Sequence, residues 1–182
     1  MSENDDSNNT SSIIFRKPEP GDGISIYKLV DASKPLDLNS LYSYLLICAH
    51  HDTTSVVVES DGEITGYISG YRHPKKDDTL FVWQVAVSKT MRKMGLARKM
   101  ILDIISRSHL DSIQFIETTV TPSNSASRGF FRNLASHLES ECNESAYFSA
   151  EMFGGEEHEP EDLFRIGPFS SKIVRKKYKE EQ

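Results

Sequence analysis

The order of elements legible in the chain predicts an α/β (α+β) domain with one mixed, mostly antiparallel central sheet flanked by helices. Three observations carry this. Ser60-Asp61-Gly62 separates two β-rich runs, and Asp-Gly is a strong hairpin signal. Leu80 to Val87 (LFVWQVAV) is almost continuously apolar, as a strand covered on both faces should be. From Gly95 the apolar period becomes helical and a further apolar strand follows, so these two strands should be parallel with a right-handed crossover.

Taken in order, Met1 to Ser12 is polar, acidic and free of aromatics, and reads as a disordered tail. Ile13 to Arg16 reads as a short strand ended by Pro18, and a helix or turn carries Ile24 to Val30. Asn39 can cap a helix in which Leu41, Tyr44, Leu45 and Cys48 recur at helical spacing, with Tyr42 on another face and an end near His50-His51. Ser55 to Glu59 and Glu63 to Tyr71 form the hairpin, and Leu80 to Val87 is the central strand. The next helix sets Ala97, Met100, Ile101, Ile104 and Ile105 against Arg98, Lys99, Asp103 and Arg107. After the strand Ile113 to Val120, Thr121 to Asn124 caps a helix with Ser127, Phe130, Phe131, Leu134 and Leu138 on one face. Ser145 to Phe153 and Leu163 to Ile166 are the last strands, joined by an acidic Gly-Gly loop. Residues 13–169 then make one domain, with 170–182 a basic tail that is a solvated end or closes over an acidic partner.

Composition narrows the function classes. With 182 residues, one core buries roughly 70% of the unfolded surface, so neither disulfides nor a metal is required. Two cysteines and no basic-then-apolar leader fit a reducing cytoplasm, and no apolar run approaches the ~20 residues that span a bilayer. A net charge of −6 disfavours nucleic acid. The charge is unevenly placed: Glu139 to Asp162 holds nine acids and no Lys or Arg, whereas Lys89 to Lys99 holds five cations and no acid. Both can be solvated faces; together they suggest an anionic cofactor meeting a cationic substrate.

The central strand runs directly into Arg92-Lys93-Met94-Gly95-Leu96-Ala97-Arg98 and a helix. A helix N-terminus offers unpaired amides and a positive dipole end to a phosphate; Gly95 and Ala97 leave room, and Arg92, Lys93 and Arg98 add charge. Small residues at a helix start also serve mere packing on a sheet. In this context, Arg92 to Ala97 resembles the (Gln/Arg)-x-x-Gly-x-(Gly/Ala) acyl-CoA loop of the Gcn5-related N-acetyltransferase (GNAT) family, over roughly Ile13 to Pro168. The resemblance implies a parallel strand pair that splays apart, with acetyl-CoA bound by Val85, Ala86, Val87, Arg92 to Arg98 (Met94 and Leu96 included), Asn124 and Ser127. It also implies that the amide near Val85 polarises the thioester carbonyl. Many relatives place a Tyr seven positions past the Asn to protonate the leaving thiolate; here Phe131 occupies that position.

A finer resemblance rests on Leu36 to Leu45, Phe81 to Val87, Thr118 to Asn124 and His158 to Glu161. These segments are similar to the branch of the family that acetylates the terminal amine of L-2,4-diaminobutyrate on the way to ectoine. A small diamino acid needs anions for its ammonium groups, a donor for its carboxylate and a wall against water. Asp37 and the Glu156/Glu157 pair are candidate anions, Tyr42 and Asn124 candidate donors, Trp83 a flat wall or cation–π face, and Glu157 or His158 a candidate base. Each has a plainer reading: Trp83 as core, Asp37 as a helix cap, Tyr42 and Tyr44 as helix packing. His50, His51 and His158 lack the spacing of a zinc site, and no metal is expected. Cys48 and Cys142 lie in apolar and acidic surroundings, so direct transfer without an acyl-enzyme is expected. The other readings are an acetyltransferase of another small amine, a polyamine or a peptide N-terminus, and a non-catalytic acyl-CoA sensor. A homodimer is the expected assembly, its apolar last strands offering an edge.

Overall fold

A computed structural model describes residues 13–155 and 158–180; the segment read as a disordered N-terminal tail, and the Glu156/Glu157 pair, lie outside the described residues. Seven strands form one sheet: β1 (Ile13–Arg16), β2 (Val56–Ser60), β3 (Glu63–Arg72), β4 (Thr79–Val87), β5 (Phe115–Val120), β6 (Cys142–Phe148) and β7 (Glu161–Ile166). The spatial order is β1-β2-β3-β4-β5-β7-β6, and every neighbouring pair is antiparallel except β4 and β5. Helices α1 (Gly23–Asp31) and α2 (Leu41–His50) cover one face; α3 (Leu96–Ile105), α4 (Ser125–His137) and α5 (Ser171–Glu180) cover the other.

The parallel pair is the feature that makes a site. Its register is Thr79 with Phe115, Leu80 with Ile116 and Phe81 with Glu117, and it ends there, so the strands part beyond Phe81. A bulge accompanies the parting. Ser69 of β3 faces Gln84 while the next residue, Gly70, faces Val82, which leaves Trp83 as the extra residue of β4. The bulge reverses the alternation: Leu80 and Val82 pack on the α3 side with Val85 and Val87, while Ala86 joins the α1–α2 core. Gly70 is required opposite this kink, because a Cβ there would lie 2.9 Å from the Phe81 carbonyl oxygen and 3.0 Å from that of Thr54.

The expected helix α3 buries Met100, Ile101, Ile104 and Ile105, each contributing roughly 1.5–3 kcal/mol relative to exposure. Three local expectations are corrected. Ser40, not Asn39, caps α2, its hydroxyl oxygen accepting from the Ser43 amide at 3.2 Å. The strand read as Ser145 to Phe153 begins at Cys142 and stops at Phe148; Ala150–Phe153 is a short 3-10 turn ended by Gly154 at φ +97°. Lys172 to Lys179, read as a solvated or partner-closing end, is mostly the helix α5, whose Val174 and Tyr178 enter the core. Their spacing of four puts them on one face, so the basic residues occupy the rest of the helix surface.

Candidate active site

The parting of β4 from β5 opens a cavity of about 750 Å³ between the end of β4, the loop leading into α3 and the first turns of α4. Val85, Ala86, Val87, Arg92, Lys93, Gly95, Leu96, Ala97, Arg98, Asn124 and Ser127 line it; Met94 does not, lying beside Ile13 and Ile14 in a separate hollow. Lys34, Pro35, Leu36, Phe130 and Asn133 are also among the walls; of these only Leu36 falls in a segment that the sequence singled out for the site. Gly95 adopts φ +73° and starts α3 with no side-chain cap, leaving the first-turn amides to a ligand. Lys34, Arg92, Lys93 and Arg98 stand around the cavity, with no carboxylate among its described lining residues. The Arg98 Nε is buried without a hydrogen-bond partner among the described residues. These features fit a polyphosphate. Arg92 also ties the loop to the strand, its Nε donating to the Val87 carbonyl at 3.1 Å, so that carbonyl is already engaged.

Asn124 caps α4, its Oδ1 accepting from the Ser127 amide at 3.1 Å. Phe131 is buried against Phe130 and Phe164 and brings no hydroxyl to the cavity. A thiolate with a pKa near 8.5 leaves readily without a matched acid.

Beside this donor half, three separate segments bring a second cluster together. His158 stacks on Phe153, ring centroids 3.9 Å apart, and its Nδ1 lies 2.6 Å from the Glu159 carbonyl oxygen. A carbonyl accepts only, so Nδ1 carries a proton and Nε2 is the nitrogen that faces Asp37, at 3.6 Å. Glu159 in turn accepts from both the amide and the hydroxyl of Ser123, the residue before the α4 cap. Glu161 opens β7 beside Thr119 and within electrostatic reach of His158 and Asp37. Burial pushes its carboxyl above the ordinary value; the Thr119 hydroxyl and His158 oppose this, while Asp37 and Asp162 add to it. Its Oε2 has no hydrogen-bond partner among the described residues. A half-buried carboxylate of raised basicity is suited to accepting a proton from an amine.

The sequence-based candidates thus divide. Asp37 and His158 meet. Trp83 is 46% exposed, so it is not core; it projects at the bulge where the strands part. Tyr42 is exposed on α2 and outside the cavity lining, whereas Tyr44 is buried helix packing. Glu161 was hidden in the acidic run, and only the structure separates it. Glu144 and Asp162 are taken by Arg128, Glu144 also by Arg132, and Glu139 by Lys177. Burial raises the Cys48 thiol to about 11 and pushes Cys142 upward too, so neither is a ready nucleophile. Among the described residues no group of three or more His, Cys, Asp or Glu gathers as a metal site.

Comparison with known proteins agrees with this architecture. Residues 24–135 match the acetyltransferase (GNAT) family. The chain is 44% identical over 162 residues to the L-2,4-diaminobutyric acid acetyltransferase of Halomonas elongata, covering 88% of this chain and 84% of that one. It is 45% identical over 164 residues to the Chromohalobacter salexigens protein of the same name, covering 90% and 85%. The solved diaminobutyrate acetyltransferase EctA of Paenibacillus lautus, in complex with L-2,4-diaminobutyric acid and coenzyme A, superposes with a TM-score of 0.83 at 40% identity, covering 87% of this chain and 96% of that one. With the splayed strands, the cationic loop and this level of identity in hand, the chain belongs to the GNAT acetyltransferase family and, within it, to the diaminobutyrate acetyltransferases.

Proposed function

We propose that this protein transfers the acetyl group of acetyl-CoA to the terminal amine of L-2,4-diaminobutyrate, giving N4-acetyl-L-2,4-diaminobutyrate, the precursor of ectoine. The observation that carries the reading is a cationic cavity with no carboxylate among its described lining residues, joined through the neighbours Leu36–Asp37 and Ser123–Asn124 to a cluster of Asp37, His158 and Glu161. The cavity takes the anionic donor, and the β5-facing edge of β4 beyond Phe81 receives its extended arm as an added strand would. The Val85 amide is the group assigned to the thioester carbonyl.

On the acceptor side, Asp37 pairs with an ammonium and Trp83 walls the site. The reacting amine, of pKa about 10 when free, loses one proton to Glu161. Attack of the neutral amine on the thioester carbon then forms the C–N bond and breaks the C–S bond in one ternary complex; the second amine proton leaves the nitrogen and ends, through water, on the departing thiolate. The unreactive thiols support direct transfer, and in the proposed cytoplasmic setting they stay reduced. We assign a homodimer to β6, an edge strand exposed from Asn143 to Phe148 that carries Tyr147 and Phe148 with Phe153 nearby.

The test is thiol release from acetyl-CoA with L-2,4-diaminobutyrate, ornithine, putrescine and a short peptide offered side by side. Preferred turnover of diaminobutyrate supports the reading; preference for putrescine or the peptide overturns it, as does coenzyme A binding without turnover.

A further inference from the structure

Gln84 is the one polar residue between Leu80 and Val87, and it is 7% exposed. A primary amide inside a central strand needs partners, and this one has only half of them. Its Nε2 donates to the Asp37 carbonyl oxygen at 2.7 Å, whereas its Oε1 is buried with no hydrogen-bond partner among the described residues. A methionine would fill a similar volume without an orphaned acceptor, so packing alone does not account for an amide here. Gln84 also sits at the bulge, its own amide donating to the Ser69 hydroxyl oxygen at 3.2 Å, which ties its backbone to β3.

The recipient of that bond is what gives it meaning. The Asp37 side chain is 83% exposed and its one ion-pair neighbour among the described residues is His158. Its carboxylate is therefore aimed chiefly by its backbone, and Gln84 ties that backbone to β4. Leu36, the preceding residue, lines the donor cavity, and Leu38, the following one, packs on the α1–α2 core. One amide thus fixes the segment that borders both halves of the cleft.

We infer that Gln84 is a positioning residue for acceptor recognition: it touches no substrate, and holds the Asp37 main chain so that the carboxylate faces His158 and the incoming ammonium. This rests on the assignment of Asp37 to the acceptor. The experiment compares wild type, Gln84→Met, Asp37→Asn and the double variant by steady-state kinetics with acetyl-CoA and diaminobutyrate, together with melting temperature. Gln84→Met should raise the diaminobutyrate KM about tenfold, the loss of one aligned hydrogen bond, with acetyl-CoA KM and kcat near wild type and no drop in melting temperature. The double variant should be no worse than Asp37→Asn, because Gln84 acts through Asp37. An unchanged diaminobutyrate KM, a rise in both KM values with a lower melting temperature, or additive losses would each overturn the inference. Amide hydrogen exchange over residues 36–39 separates its failure from that of the function: faster exchange in Gln84→Met supports the anchor whatever amine proves to be the acceptor, and unchanged exchange removes it.

Discussion

The donor and acceptor halves of the cleft share the parted strands, yet they are assembled in opposite ways. The donor half comes from one nearly continuous stretch, Val85 to Arg98, joined by the start of α4, and rests on a strand end and two helix N-termini. The proposed acceptor half draws Asp37, Trp83, Thr119, His158 and Glu161 from four regions, with loops supplying Asp37 and His158. A generic cofactor can be held by backbone amides and secondary-structure ends, which depend little on side-chain identity. A particular amine needs side chains from separate segments, which loops can vary without disturbing the sheet.

Substitutions that injure one half alone test this division. The largest effect is expected for Glu161→Gln, which should lower kcat/KM by roughly 10²–10⁴-fold while coenzyme A binding, followed by calorimetry, stays intact. The same variant should be slightly more stable at neutral pH, since the raised carboxyl pKa reports burial that disfavours its charged form. In the wild type, kcat/KM should fall as pH drops through that raised value.

Next comes the point where β4 and β5 part. Glu117 is 2% exposed at the last paired position of β4 and β5, bonded to Lys76 at 2.7 Å and to Arg165. Burial alone would raise its pKa, but the two cations outweigh it and hold the carboxyl below its ordinary value. Glu117→Gln should therefore cost about 1.5–3 kcal/mol in a urea titration, the loss of charge-assisted bonds to a buried carboxylate whose cationic partners stay partly exposed to water. The sign with pH follows. The contribution of Glu117 is full above the ordinary glutamate range and is lost as pH falls through the depressed folded value, so unfolding midpoints should drop on acidification, and less so in the variant.

Smaller and more selective effects follow. Asp37→Asn should raise the diaminobutyrate KM about 10–100-fold and leave that of acetyl-CoA unchanged, consistent with losing a charge-assisted contact. Gly95→Ala should do the reverse, raising the acetyl-CoA KM up to about tenfold, because a Cβ at φ +73° costs roughly 1–2 kcal/mol in the loop geometry. Smallest is Glu159→Gln, which weakens the tie between the acidic loop and Ser123 at the donor-side helix; a change of a few-fold in both KM values is expected.

The same contrast explains what the sequence could convey. Continuous apolar runs, an Asp-Gly hairpin and a Gly-x-Ala helix start are local signals, so the sheet, α3 and the donor loop were legible residue by residue, as was Phe131 in place of a tyrosine. Met94 was included only because it stands inside the motif. The proposed acceptor half was legible mainly through resemblance, which raised Asp37 and Trp83 above their plainer readings, while His158 entered only as one of two candidate bases. Glu161 looks like its eight acidic neighbours until the fold shows that several of them already hold arginine or lysine. The bulge at Trp83 and the tie from Gln84 depend on register, and register is a relation between strands that no single segment carries. In α5 the Val174–Tyr178 spacing was present in the sequence but was outweighed by its charge.

The most direct test of the account is the position and rate of acetylation in one experiment: acetyl-CoA and L-2,4-diaminobutyrate turned over by wild type and Glu161→Gln, with the product read by NMR. Acetyl on the terminal nitrogen, together with a large rate loss in a variant that still binds coenzyme A, is the predicted result. Acetyl on the α-nitrogen, or an undiminished rate in Glu161→Gln, would contradict it.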